Sequence, residues 1–159
     1  MPVNNVIITR ATVEDAAEIL KLQKLAFFSE AKRYDDFSIP PLMETTENIC
    51  QAFNCNIVLK ATVDGVIIGS VRGQLTDDSC YIGRLIVHPD FQKRGIGSRL
   101  MKAIEAEFPQ VNKYTLGAGH LSEETIRLYQ KLGFVIYNSE KVNDKVTIIH
   151  MEKSLVNKE

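Results

Sequence analysis

The 159-residue sequence has only three cysteines, Cys50, Cys55 and Cys80, an odd number with neither Cys-x-x-Cys nor metal-ligand spacing. That arithmetic argues against a disulfide framework and against a bound metal, and leaves three free thiols packed as small hydrophobes in a reducing compartment. Charge of one sign is also lacking. Nineteen Lys and Arg stand against twenty Asp and Glu, a formal net charge of −1, which gives no electrostatic case for a nucleic-acid or anionic-membrane partner. No apolar run approaches the roughly 18 residues of a membrane span. The opening Met-Pro-Val-Asn-Asn has neither the basic region nor the apolar core of a signal peptide. A soluble, cytoplasmic protein is expected. With no internal repeat, low-complexity tract or dividing linker, residues 1–159 read as a single domain, large enough to bury about two-thirds of the surface of its unfolded chain.

What is present is an alternation of short strands and helices. Residues 6–10 read as an opening strand. Thr12-Val13-Glu14-Asp15 supplies a cap and acidic first-turn residues for a helix, on which Ile19, Leu22 and Ala26 recur at helical spacing to about Phe28. Residues 29–42, polar and aromatic with Asp35-Asp36 and Pro40-Pro41, read as a loop, and 46–53 as a weaker helix. Asp64-Gly65 joins apolar runs at 57–63 and 66–74, the dipeptide of a two-residue hairpin turn. A strand at 80–87 ends at Pro89, which has no amide hydrogen to pair. Ile96, Leu100, Ile104 and Phe108 then recur every four residues, one apolar face of a helix ending at Pro109. A strand at 113–117 precedes a helix opened by Ser122-Glu123-Glu124 as cap and acidic first turn, and closed by Gly133. Strands at 135–138 and 146–151 complete an α/β fold, a mixed, mostly antiparallel central sheet flanked by helices.

The junction from Leu85-Ile86-Val87-His88-Pro89 through Gln92-Lys93-Arg94-Gly95-Ile96-Gly97-Ser98 runs from an apolar strand through a glycine-bearing turn into a helix. Amides at a helix start have no partner within the helix and carry about half a positive charge between them, so such a turn can cradle phosphate. Neither Gly95 nor Gly97 has a Cβ to hold a phosphate oxygen away from the backbone. A dinucleotide fingerprint requires Gly or Ala where Leu100 stands, and a Walker-type loop requires Gly-Lys-Ser/Thr where the chain has Gly97-Ser98-Arg99. Both nucleotide readings weaken. A bare strand-to-helix turn that binds nothing is the remaining alternative for Gly-x-Gly alone.

A second segment, Leu128-Tyr129-Gln130-Lys131-Leu132-Gly133-Phe134, closes the later helix. There Leu121, Thr125, Leu128 and Leu132 form the stripe expected to face the core. Tyr129, about 100° round from Leu128, is expected to pack at the rim with its hydroxyl toward a cleft. An amphipathic tyrosine at a core edge would look the same.

Together, Gln92-x-x-Gly95-x-Gly97 after a Val-His-Pro strand end, and Leu-Tyr-x-Lys-Leu-Gly-Phe downstream, resemble the two conserved-order motifs of the GNAT superfamily of acyl-CoA-dependent N-acetyltransferases. The resemblance is specific from about residue 67 to 134 and general elsewhere. It implies direct transfer of an acetyl group from acetyl-CoA to a primary amine in a ternary complex, with no metal and no covalent acyl-enzyme. It implies that the pantetheine arm pairs with the strand edge at Leu85, Ile86 and Val87. The pyrophosphate would lie on amides of Arg94, Gly95, Ile96, Gly97 and Ser98, with Gln92 in the motif and Lys93 and Arg94 adding charge. An amide near Ile86 or Val87 would stabilise the thioester oxygen, and Tyr129 would act as general acid beside the departing sulfur. A phenol of pKa about 10 is a weaker acid than a thiol of about 8.5, so full transfer is uphill by roughly 2 kcal/mol in unshifted groups. Tyr129 therefore reads as a hydrogen-bond donor first.

Two departures from the family pattern concern the acceptor half. Many members place a carboxylate on the strand ahead of the cofactor loop, where this chain has Ile82-Gly83-Arg84. Glu30, Asp35, Asp36, Glu44 and His120 are the candidate bases. Glu30 is the first choice because it closes the expected first helix beside the variable loop. Ser122 stands where the family often has an Asn near the cofactor; it can still cap the helix. Asp35, Asp36 and Glu44 would favour a cationic acceptor such as a polyamine, an aminoglycoside or a lysine side chain, with a peptide or protein N-terminus equally open. Homodimers are frequent in the family. The competing reading is a non-catalytic acyl-CoA-binding or sensing module, against which Tyr129 argues and for which the missing strand carboxylate argues.

Overall fold

Asp64 and Gly65 both take the left-handed backbone conformation, with φ of 50° and 80°, as a tight turn matching the twist of its flanking strands requires. Around that hairpin the computed structural model, which describes residues 5–155, builds one seven-stranded sheet. Its strands are β1 (Ile7–Arg10), β2 (Ile57–Val63), β3 (Val66–Thr76), β4 (Ser79–Val87), β5 (Lys113–Gly119), β6 (Val135–Lys141) and β7 (Thr147–Ser154). They lie in the order β1-β2-β3-β4-β5-β7-β6, every neighbouring pair antiparallel except β4 and β5. This is the mixed, mostly antiparallel sheet with flanking helices that the sequence pattern implies. The opening residues 1–4, on which the signal-peptide reading rested, lie outside the described residues.

The helices divide between two faces. On one face α4 (Ile96–Ala106) buries Ile96, Leu100, Met101 and Ile104 in a core that includes Leu59, Val71, Ile82, Tyr129 and Phe134. Phe108 lies beyond the end of α4 and is only partly buried against the same core. On the other face α1 (Ala16–Tyr34) and α3 (Thr46–Ala52) enclose Ile19, Leu22, Ile49, Val58, Ile67 and Ile86. A short helix, α2 (Pro40–Met43), interrupts the segment read as loop.

Helix α1 runs six residues beyond the expected end at Phe28. The extension was masked because Glu30, Lys32 and Arg33 make it polar, while only Ala31 and Tyr34, three apart, are buried on its inner side. Asp35 ends it in the left-handed conformation, its amide bonded back to the last turn. The last helix, α5 (Glu123–Lys131), corrects the expected stripe. It begins after Leu121, which is 44% exposed, and its one buried residue is Tyr129 at 7%. Ser122 precedes α5 without capping it through its side chain.

Candidate active site

The site forms where β4 and β5 part. Their parallel pairing covers only Ser79, Cys80 and Tyr81 against Lys113, Tyr114 and Thr115, and beyond it β4 keeps its partners on β3 alone, with Ser70 opposite Ile86 and Gly69 opposite Val87. A bulge sits at the parting. Three steps along β4, from Gly83 to Ile86, face two along β3, from Arg72 to Ser70, and Arg84 within the bulge has φ of 52°. Bulges re-aim side chains and end pairing. This one leaves the Leu85, Ile86 and Val87 backbone edge unpaired with β5 and turns the Arg84 guanidinium toward Glu44.

The loop after β4 carries two left-handed residues, Lys93 (φ 64°) and Gly95 (φ 84°), the latter capping α4. A Cβ at Gly95 would meet nothing within 4 Å, so the space beside that residue is open, whereas one at Gly97 would touch Leu128 and Leu85. The Gln92 amide donates to the Val87 carbonyl at 3.0 Å and ties the loop to the strand end. His88 accepts from the Asp90 amide through Nδ1, and Arg94 lies over the Phe91 ring. The open loop amides at the start of α4, next to an unpaired strand edge, fit a diphosphate-bearing extended cofactor.

Tyr129 stands across the cleft on α5, its ring 5.9 Å from that of Phe134. No described residue meets its hydroxyl as a hydrogen-bond partner, and among the described residues no buried side-chain polar atom is left unpaired, so the hydroxyl keeps a contact with solvent although the residue is only 7% exposed. Burial, and then the neighbouring Tyr81 and Glu30, push its pKa well above the ordinary phenol value. The group is therefore a protonated donor throughout the neutral range. The expectation of a rim position is corrected: Tyr129 is the most buried residue of its helix because α5 meets the core through the turn that precedes Phe134.

Glu30 lies within α1, four residues short of its end, and is bound by a chain of hydrogen bonds. The Leu121 amide donates to Tyr34 Oη at 2.8 Å, Tyr34 Oη is 2.8 Å from Ser122 Oγ, and Ser122 Oγ donates to the Glu30 carboxylate. Since the single hydroxyl hydrogen of Ser122 goes to Glu30, Tyr34 must be the donor to Ser122. Arg33 pairs with the second Glu30 oxygen. Gly119 makes room for this chain, because a Cβ there would lie 2.1 Å from Tyr34 Oη. Ser122, 2% exposed, thus has its hydroxyl engaged by Tyr34 and Glu30. Tyr34 carried no motif in the sequence.

Glu44 is the centre of a second cluster. Gln23 donates to it at 2.7 Å, Arg84 at 3.3 Å and Arg72 at 3.5 Å. Burial alone would raise its pKa, but the hydrogen bonds from Gln23 and Arg84 and the charges of both arginines outweigh burial and hold the carboxyl below its ordinary value. Asp36 accepts from the Ser38 hydroxyl and amide, and the His120 ring is bonded to the Thr147 backbone. Of the five candidate bases, Glu30 and Glu44 each accept from side chains of other elements, and the His120 ring lies 5.6 Å from that of Tyr34, beside the Glu30 cluster. Arg72 was missed, although a charged residue inside an otherwise apolar strand is a visible signal.

Residues 41–155 match the family model described as the acetyltransferase (GNAT) domain. The chain belongs to the GNAT acetyltransferase family. Among curated proteins it is 31% identical over 98 residues to the spore coat polysaccharide biosynthesis protein SpsD of Bacillus subtilis. That match takes in 60% of this chain but spans only about a third (33%) of the relative. Among solved structures, PaiA N-acetyltransferase from Thermoplasma acidophilum in complex with coenzyme A superposes with a TM-score of 0.77 at 17% identity, covering 94% of this chain and 99% of that one. The putative acetyltransferase YncA from Salmonella typhimurium, with acetyl-CoA, gives 0.77 at 19% identity over 98% and 97%. These two likenesses establish the shared fold.

Proposed function

We propose that the protein acetylates a primary amine with acetyl-CoA as donor, by direct attack of the amine within a ternary complex. The observation that carries this reading is the parting of β4 from β5 beside the glycine-bearing start of α4, with α5 and its protonated Tyr129 packed alongside through Leu128, 3.6 Å from where a Cβ on Gly97 would lie. The unpaired edge at Leu85, Ile86 and Val87 would hold the pantetheine arm, and amides of residues 94–98 the pyrophosphate. Acetyl-CoA, when bound there, supplies an activated thioester carbonyl.

The remaining chemistry falls to side chains of this protein. Glu30, oriented by Ser122 and Tyr34, receives the proton that the amine nitrogen must lose as its bond to carbon forms. Tyr129 holds a proton at Oη for the sulfur as the carbon–sulfur bond breaks. Because burial raises the phenol further above a thiol, hydrogen-bond donation dominates over complete transfer at this oxygen. The three free cysteines support a reducing, cytoplasmic setting, and among the described residues no helix is long and apolar enough to cross a membrane.

The test is amine-dependent release of free thiol from acetyl-CoA, with acetyl-CoA binding recorded by calorimetry on the same protein. Release with a subset of amines is the expected result. Binding without release from any amine would make the protein an acyl-CoA-binding module, and absence of binding would overturn the reading altogether.

A further inference from the structure

Arg72 and Arg84 face one cavity on the α1 side of the sheet, of about 70 Å³, lined also by Asn56, Gln74, Tyr81 and Gly83. That is space for a group of a few heavy atoms, at about 10–15 Å³ per water-sized occupant. Every lining side chain with a polar atom offers a hydrogen-bond donor, and no acid lines the cavity. Among the described residues Glu44 is the only carboxylate paired with either guanidinium, and it is shared between them at 3.3 and 3.5 Å. The trio therefore keeps one positive charge unbalanced. Each guanidinium has five N–H donors, of which one from each is directed at Glu44. Both side chains are largely withdrawn from water, 18% and 26% exposed, where an unbalanced charge is costly and an anion is strongly attracted.

We infer that this cavity binds a carboxylate of the acceptor, so that the amine to be acetylated belongs to a molecule carrying a monoanionic carboxylate, as amino acids and ω-amino acids do. The inference rests on the acetyltransferase reading and names the substrate class for it. It also replaces the charge argument from the sequence. Glu44, which suggested a cationic acceptor, is neutralised by Arg72 and Arg84, and the Asp36 carboxylate is turned to Ser38. The bulge that separates β4 from β5 is the same feature that delivers Arg84, so the site of transfer and the anion site are joined through one backbone distortion. An arginine is well suited to this role because its planar fork matches a carboxylate.

The experiment compares amines of equal chain length, 5-aminopentanoate, pentylamine and 1,5-diaminopentane, together with α-amino acids and an aminoalkyl phosphonate, in the thiol-release assay. Calorimetric binding of each compound to the protein is measured alongside. Carboxylated amines should bind and turn over with kcat/KM at least about 10-fold above their uncharged or dicationic counterparts. In Arg84→Gln and Arg72→Gln, KM for them should rise about 10- to 100-fold while acetyl-CoA affinity is unchanged. Equal or better use of pentylamine or the diamine would overturn the inference, as would loss of diamine turnover in Glu44→Gln or a clear preference for the phosphonate. Should acetyl-CoA itself fail to bind, the acetyltransferase reading fails first, and carboxylate binding by calorimetry still decides the anion site.

Discussion

The two sides of the cleft are built by different means. On the cofactor side, the edge of β4, the turn through Gly95 and the start of α4 offer backbone amides and carbonyls, so the chemistry depends on where the chain goes. On the side proposed for the acceptor, Glu30, Tyr34, Ser122, Glu44, Arg72 and Arg84 come from five elements or junctions and offer side chains whose charges and hydrogen bonds depend on one another. A backbone site writes itself into a short stretch at fixed spacing, whereas a side-chain cluster is assembled from distant positions.

The largest effect should come from the residue that faces both sides. Tyr129→Phe should lower kcat by about 10- to 1,000-fold with acetyl-CoA affinity kept, measured by thiol release and calorimetry. With the phenol raised by burial, native turnover should rise as the acceptor amine deprotonates and show no alkaline limb from Tyr129 below about pH 10. On the cofactor side alone, Gly95→Val forces a β-branched residue into φ of 84°, a strain of roughly 1–2 kcal/mol. It should weaken acetyl-CoA binding about 10-fold or more, with KM for the amine little changed.

Smaller effects should separate support from chemistry on the acceptor side. Gly119→Ala places a Cβ onto Tyr34 Oη and should cost about 1–3 kcal/mol of stability by overpacking, read from thermal unfolding, while disordering Glu30. The smallest concerns pH. Glu44 is held below its ordinary carboxyl value in the folded state, so its contribution to stability is complete above the unfolded pKa of about 4.3 and is lost as pH falls through the folded value. Native protein should therefore lose melting temperature more steeply below about pH 4.5 than Glu44→Gln does.

Legibility in the sequence follows the same division. The hairpin at Asp64-Gly65, the strand read at 80–87 and α4 were readable because turn residues and apolar periodicity mark them locally. So was the family, through two motifs in order. The end of α1 was not, because Tyr34 is held by Gly119 at the end of β5 and by Ser122, a contact 88 residues away in the chain. The left-handed Arg84 has no compositional cue, since nothing in Gly83-Arg84-Leu85 calls for a bulge until β3 is laid beside it. Ser122 was legible as a residue before a helix, yet its hydroxyl is drawn to Tyr34 and Glu30 instead of to the helix amides. Charge counting around Glu44 misled for a related reason: the arginines that balance it arrive from β3 and β4.

The most direct test of the division between the two sides is a calorimetric titration of acetyl-CoA into the native protein, Gly95→Val and Arg84→Gln under one set of conditions. Binding to the native protein, weakened about 10-fold or more in Gly95→Val and unaltered in Arg84→Gln, is the predicted result. Equal loss in both variants, or undisturbed binding in Gly95→Val, would contradict a cofactor site made by the backbone and separable from the acceptor cluster.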